Sequence, residues 1–197
     1  MYKQCQREQS KVRQRMIAAT MIRMLRQKRL GDIQISDLCR EAQIPRKTFY
    51  RYFDTKEDVI VYVSETCIQE VFQKVFDTRR NMLAVSEDVL FRYWKQRAPL
   101  LEVLLREDTA GTFVAAYMRQ VLEMRACFEY LSGTMDQRAA AAVFVGGGFL
   151  SLLSYWRHNE FEQSPDEMAL ILRDLLRKPI FNTDYFTYIS QLEYKLK

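Results

Sequence analysis

Between residues 10 and 28, Val12, Met16, Ala19 and Ile22 recur at three- and four-residue spacing, with Ile17, Met21 and Leu25 beside them. A stripe of that period predicts an amphipathic helix, and Arg13, Arg15, Arg23 and Arg26 take up much of its remaining surface. Gly31-Asp32 interrupts the pattern. Ile35, Leu38, Cys39 and Ala42 then stand at i, i+3, i+4 and i+7, which predicts a short second helix over residues 35–42. Pro45 suits the start of a third, where its missing N–H is not needed. That third helix, residues 46–52, is short, basic and aromatic, and Phe53-Asp54-Thr55 leads to a further helix entering at Lys56-Glu57-Asp58.

The rest of the chain continues in the same period. Over residues 58–78, Val59, Ile60, Val63, Cys67, Val71, Phe72 and Val75 form a long stripe suited to joining two units. Further helices are predicted over residues 86–97, with Leu90, Phe91, Tyr93 and Trp94, and from Pro99 through Leu105. Residues 110–131 repeat Phe113, Tyr117, Val121, Met124, Phe128 and Leu131, and added Val114, Met118 and Leu122 imply burial around much of the circumference. Residues 139–156 are 18 consecutive uncharged positions, borderline in length for a membrane span. Three adjacent glycines, four alanines and two serines make the run weakly apolar, so a buried helix is the better reading. Gly146-Gly147-Gly148 weakens a helix and implies close backbone approach, a kink or room for a ligand. Ser164-Pro165-Asp166-Glu167 reads as a capping box opening a helix through Arg177, with Met168, Ile171, Leu172 and Leu175 on one face and Pro179 ending it. The tail, residues 184–197, offers Tyr185, Phe186, Tyr188, Ile189 and Leu192 as the apolar surface of another helix. The expected fold is all-α, divided into residues 1–57 and 58–197.

Composition agrees: 6 Gly and 4 Pro in 197 residues are few, and 48% hydrophobic content supplies a core. Charge adds something the periodicity does not. Residues 1–57 hold 14 Lys and Arg against 6 Asp and Glu, a net of +8 within a chain whose total is +5. A basic head on a mildly acidic body suits a polyanionic partner, although a solvated basic helix with no partner carries the same charge. Cys5, Cys39, Cys67 and Cys127 are scattered without a CxxC pair, and no signal-peptide pattern is present. The expectation is reduced thiols in a cytoplasmic protein. The single histidine, His158, argues against a His-based zinc site or a Ser-His-Asp triad. With no Walker loop, GxGxxG or HExxH, no cofactor, metal or enzymatic activity is expected.

Two short helices joined by a tight turn, the second one basic, have the layout of a helix-turn-helix. Thr48 and Tyr50 offer hydroxyls to phosphates or bases, and Arg46 and Lys47 bring charge to the helix N-terminus, which itself favours anions. Phe49 and Phe53 are the expected core anchors, whereas the hydroxyls of Tyr50 and Tyr52 suit a wet interface. Residues 10–60 resemble the N-terminal domain of the TetR family of bacterial transcriptional regulators. Thr48, Tyr50, Phe53 and Lys56 fall on that family's T-x-Y-x-x-F-x-x-K pattern, inside a matching run over residues 35–58. The Arg46-Lys47-Thr48-Phe49-Tyr50 string, and residues 147–169 with Trp156, are similar to a subgroup resembling the activator of dihydroxyacetone kinase genes. The chain departs from the family at four places: Gln34 stands where Ser or Thr caps the second helix, Gln43 and Glu160 where Gly is common, and Pro45 where Ser is common.

The resemblance implies a homodimer whose two recognition helices enter successive major grooves of a near-palindromic double-stranded DNA operator. Arg46, Lys47 and Thr48 are then the candidates for base edges, and Tyr50, Tyr52, Lys56 and Ser36 for the phosphate backbone. It also implies a last helix pair that dimerises, an inducer cavity in the second part, and repression relieved by a small molecule, activation being known in related subgroups. Tyr62, Phe91, Trp94, Phe113, Tyr117 and Phe128 could line an apolar, aromatic pocket for such an effector, although packing is the ordinary role of such a stripe. A second reading, a helical protein-interaction module with weak and sequence-independent DNA association, fits the same charge.

Overall fold

In the computed structural model the chain is described over residues 2–77, 87–123 and 133–177. Among these residues it forms α-helices joined by turns, with one 3-10 turn at Leu30–Asp32 and no strand. The helices are α1 (Glu8–Leu25), α2 (Ile35–Glu41), α3 (Arg46–Tyr50), α4 (Lys56–Asp77), α5 (Glu87–Gln96), α6 (Ala98–Leu104), α7 (Glu107–Glu123), α8 (Met135–His158) and α9 (Pro165–Arg177). Each corresponds to a helix expected from the periodicity, with ends shifted by a few residues where the expected end lies among the described residues. The expected tail helix over 184–197, and Met124, Phe128 and Leu131, lie outside the described residues.

Among the first helices α1 packs on α2 and on α4, and α2 packs on α3. Ile17, Met21 and Leu25 of α1, Leu38 of α2, Phe49 of α3, Phe53, and Val59 and Ile60 of α4 are all fully buried. On α1 the buried line is therefore Ile17-Met21-Leu25 rather than the line through Val12 and Ala19. Val12 is 55% exposed and Ala19 is exposed, while Gln14 is buried. The apolar arc of α1 is wide enough to offer both lines, and Leu25 and Met21 are what α2 and α4 can reach.

Two turns explain two of the sequence departures. At the end of α2 the Ile44 N–H donates to Cys39 O at 2.9 Å and the Gln43 N–H to Arg40 O at 3.1 Å. At the end of α8 the Phe161 N–H donates to Trp156 O at 2.9 Å and the Glu160 N–H to Arg157 O at 3.0 Å. Both are Schellman motifs, whose closing residue takes left-handed backbone and is usually glycine. Here Gln43 has φ 52° and Glu160 has φ 52°, and Phe161 follows at φ 58°. Side-chain packing compensates: Ile44 is buried, and the Phe161 ring meets Trp156 edge-on at 5.3 Å. Lys95 Nζ also donates to Phe161 O at 2.7 Å.

Side chains set the helix starts. Asp58 Oδ2 accepts the N–H groups of Asp54 and Thr55 at 3.1 and 3.0 Å, and Thr55 Oγ1 accepts the Asp58 N–H at 3.2 Å, fixing where α4 begins. Thr134 and Gln137 form a capping box on α8. The expected box at Ser164 and Glu167 opens α9, with bonds of 2.7 and 3.2 Å. Gln34 makes no side-chain cap on α2, consistent with its poor capping chemistry.

In the second part α4 packs on α7 and α5, α5 on α9, and α7 on α8. Aromatic side chains fill the centre. Phe91 lies 5.4 Å from Phe149 and 5.6 Å from Trp156, Trp94 lies 5.7 Å from Phe113, and Tyr117 stacks on Phe149 at 6.4 Å. The three glycines of α8 have different surroundings. A Cβ on Gly146 would meet Tyr117 Cε1 at 3.2 Å, so α7 and α8 approach closely there, whereas Gly148 faces open space. By length and composition α8 could cross a membrane. Here it buries Ala142, Gly146, Phe149, Leu150, Leu153 and Trp156 and leaves Phe144 75% exposed.

Left-handed backbone costs an L-residue roughly 1–2 kcal/mol, part of which glycine's extra unfolded-state freedom offsets. Gln43→Gly and Glu160→Gly are each expected to raise the unfolding free energy by roughly 1 kcal/mol in denaturant titrations. Unchanged or lower stability in both would contradict the strain assigned to these turns.

Candidate nucleic-acid interface

The short helix α3 has one inward and one outward face. Phe49 is fully buried, 5.8 Å from Phe53 between ring centroids, and this anchors the helix. Arg46 and Lys47 are exposed, Thr48 is half-buried and Tyr50 is 44% exposed. Ser36 is exposed in the first turn of α2. These five side chains stand on the two helices of the helix-turn-helix, so the arrangement offers two cations and three hydroxyls from one bihelical unit.

Two expected site residues are placed differently. Tyr52 is 5% exposed and belongs to the core. Its hydroxyl accepts a hydrogen bond from Arg51 Nη2 at 3.2 Å, and the Arg51 guanidinium lies 5.0 Å over its ring. The spacing explains the burial: Phe49, Tyr52 and Phe53 stand at i, i+3 and i+4, so their side chains share a face that Tyr50 cannot join. Lys56 is the second. Its ammonium donates to Leu30 O, Gly31 O and Ile33 O at 2.6, 3.1 and 3.0 Å. An ammonium has three donors, and each has a carbonyl of the turn after α1 as its partner. Lys56 therefore builds the head.

The same turn is gripped from the other side. Arg106, between α6 and α7, donates through Nη1 to Leu25 O at 2.5 Å, and the Leu30 N–H donates to Asp108 Oδ2 at 2.6 Å. Arg106 and Asp108 also pair with each other, Nε to Oδ1 at 2.5 Å and Nη2 to Oδ2 at 2.8 Å. The hydrogen bond from Arg106 holds the Asp108 carboxyl below its usual range, against the opposing effect of burial, with the Leu30 N–H assisting. No local sequence signal marks this link, because its partners lie 78 and 81 positions apart.

The expected effector residues divide into separate groups. Tyr62 is half-buried at the head, 5.2 Å from Tyr2 and 5.7 Å from Phe53. Phe91, Trp94, Phe113 and Tyr117 are all buried in the body and pack as described above. Phe128 lies outside the described residues. Ser64 Oγ on α4 and Trp94 Nε1 on α5 are buried with no hydrogen-bond partner among the described residues. Buried polar atoms ordinarily find partners, and sequence periodicity gives no hint that these two do not. Among the described residues no group of His, Cys, Asp and Glu could hold a metal ion.

Comparison with known proteins adds to this geometry. Residues 18–63 match the family described as bacterial regulatory proteins, tetR family, and residues 81–178 match a transcriptional regulator C-terminal region. The chain is similar to the HTH-type transcriptional regulator EthR of Mycobacterium tuberculosis (strain CDC 1551 / Oshkosh), 35% identical over 83 residues, which are 38% of this chain and 38% of that protein. The match thus spans well under half the length of this curated relative. In fold it is similar to the fatty acid degradation regulator FadR from Bacillus halodurans, with TM-score 0.65 and 12% identity over 90% of this chain and 98% of that one. It is also similar to the dihydroxyacetone kinase operon activator DhaS, with TM-score 0.54 and 15% identity over 84% and 94% of the two chains.

The placement of Lys56 gives a sharp expectation. Lys56→Met removes three charge-assisted bonds and is expected to cost about 1–3 kcal/mol of head stability. The salt dependence of DNA binding should keep its slope. A slope reduced by about one unit with unchanged stability would return Lys56 to the phosphate backbone.

Proposed function

The chain belongs to the TetR family of bacterial transcriptional regulators, and from that premise we propose that it is a cytoplasmic, homodimeric repressor that binds a near-palindromic operator and is released by a small-molecule effector. The working division is a DNA-reading head, residues 1–57, and an effector-binding and dimerising body, residues 58–197. The observation that carries the reading is the two-sided character of α3: Phe49 fixes it in the core, Arg46, Lys47 and Tyr50 are exposed, and Thr48 is half-buried beside them.

Arg46 and Lys47 lie in the first turn of α3, where a recognition helix meets base edges in the major groove. Guanine offers two acceptors there to a cationic side chain. Thr48 serves the same groove, and Tyr50 and Ser36 hold phosphates. Tyr52 supports from the core through Arg51, and Lys56 through the turn after α1.

Two copies would join through α8 and α9. Phe144, Tyr155 and Leu170 are 75%, 50% and 54% exposed, and Val143, Val145, Leu175 and Leu176 add to the apolar surface. Large exposed apolar surface of this kind marks an interaction site. A second copy places each head against one half-site, about one helical turn from the other. The effector site lies among α4, α5 and α7, with the ligand apolar and aromatic in character. An acceptor on that ligand would satisfy Ser64 Oγ or the Trp94 indole N–H.

Selection of bound duplexes from a random pool at physiological salt tests the DNA reading. An enriched inverted repeat is expected, with Arg46→Ala and Lys47→Ala each relaxing preference at particular base pairs by about 1–3 kcal/mol. Sequence-independent retention, or uniform weakening on every duplex, would favour the protein-interaction reading instead. For the dimer, Phe144→Glu changes an exposed residue and leaves the core intact. Sedimentation should then show monomers with an unchanged thermal transition of the head, and an unchanged dimer mass would remove this face from the interface.

A further inference from the structure

Residues 2–6 run without helix along the end of α3 and the side of α4, and two of their side chains are tied to both. The Lys3 N–H donates to Tyr52 O at 3.0 Å and its ammonium to Tyr50 O at 2.9 Å, with Asp54 Oδ1 at 3.3 Å. These are carbonyls at the C-terminal end of α3, where a helix has no internal donors to offer. Lys3 O in turn accepts from Gln14 Nε2 of α1 at 2.8 Å, and Gln14 is buried.

Tyr2 continues the connection into the body. Its ring lies 5.2 Å from Tyr62 and 6.5 Å from Phe53, and its hydroxyl donates to Glu65 Oε2 at 2.5 Å. Glu65 Oε1 accepts from Arg119 Nη1 of α7 at 2.8 Å. Glu65 is only 7% exposed, so this carboxylate depends on its two partners for compensation. Burial, and then the Glu65 carboxylate, push the Tyr2 phenol up from its usual range, which keeps the hydroxyl a donor. Meanwhile α3 spans five residues, far below the length at which a helix is stable on its own. Its pose is set by whatever holds its two ends.

We propose that Tyr2 and Lys3 are positioning residues for operator recognition, fixing the C-terminal end of α3 and tying it through Glu65 to Arg119 on α7. The inference rests on the DNA-binding reading above and deepens it. The pose of Arg46, Lys47 and Thr48 then depends on a side-chain network that reaches α7 across the Glu65 carboxylate of α4. A shift of α7 that moves Arg119 loosens the grip on the end of α3. Because the Lys3 ammonium is held by Tyr50 O and Asp54, its role is in specificity and not in neutralising a phosphate.

The test uses the full chain with Tyr2→Phe, Arg119→Gln, their double variant, Lys3→Arg and Lys3→Met. Binding is measured to the selected operator and to a scrambled duplex across salt concentrations, and amide hydrogen exchange is followed without DNA. Tyr2→Phe and Arg119→Gln should each weaken operator binding about three- to tenfold, a change of about 0.7–1.4 kcal/mol at RT of about 0.59 kcal/mol. The scrambled duplex and the salt slope should be unaffected. The double variant should lose no more than the weaker single variant, as expected of partners in one network. Lys3→Arg should retain binding that Lys3→Met loses. Exchange over residues 46–53 should quicken in the weakened variants while α8 keeps its protection, which separates positioning from unfolding. Equal losses on both duplexes, additive losses, or a slope lowered by about one unit in Lys3→Met would overturn the proposal. If the unaltered protein selects no duplex, the DNA reading itself fails. Exchange over residues 46–53 then decides alone, and no change in Tyr2→Phe rules the positioning network out.

Discussion

The helix α4 belongs to two cores at once, and this constrains everything else in the molecule. Val59 and Ile60 are fully buried at the start of α4, in the core it shares with α1, and from the next turn onward Val63, Cys67, Ile68 and Val71 are buried where α4 packs on α7 and α5. A rigid helix shared in this way cannot shift in one core without displacing side chains in the other, because packed interiors do not deform smoothly. The start of α4 is fixed by the reciprocal hydrogen bonds of Thr55 and Asp58. The turn after α1 adds a second connection, held by Lys56 from α4 and by Arg106 and Asp108 from the body. Head and body are thereby coupled by packing, by a cluster of charge-assisted bonds and by the Tyr2–Glu65–Arg119 contacts.

Such coupling suits a regulator. A ligand shifts an equilibrium only through differential contact with two states, and here the aromatic body touches the head through elements that carry its geometry. Ser64 Oγ and Trp94 Nε1, buried without a partner among the described residues, lie on the two helices closest to that problem, α4 and α5. The Schellman turns at Gln43 and Glu160 show a related economy: left-handed backbone is tolerated where a buried Ile44 or Phe161 fixes the turn.

Most of the helical layout was legible because amphipathic spacing is a local property, and each helix carries its own period. Capping at Ser164 was legible for the same reason. The burial of Tyr52 was present in the spacing from Phe49, but the chemistry of the hydroxyl suggested the opposite face. Lys56 was not legible. Its partners stand 23 to 26 positions away, and nothing in a lysine's neighbours says whether its ammonium meets a phosphate or a carbonyl. Tyr2 and Lys3 were missed similarly, since their partners at positions 50, 52 and 65 are brought near only by the fold. The four buried aromatic residues of the body were recognised as apolar, yet whether such a set lines a pocket or fills a core depends on volumes that spacing does not encode.

In the proposed dimer two copies of α3 enter successive major grooves on one face of the duplex. Guanine N7 lies in the major groove, so chemical protection of N7 on the selected operator reads that placement directly. Two protected clusters are expected, related by two-fold symmetry and centred about 34 Å apart, both lost together when Phe144 is changed to Glu. A single cluster, or uniform protection along the duplex, would contradict it.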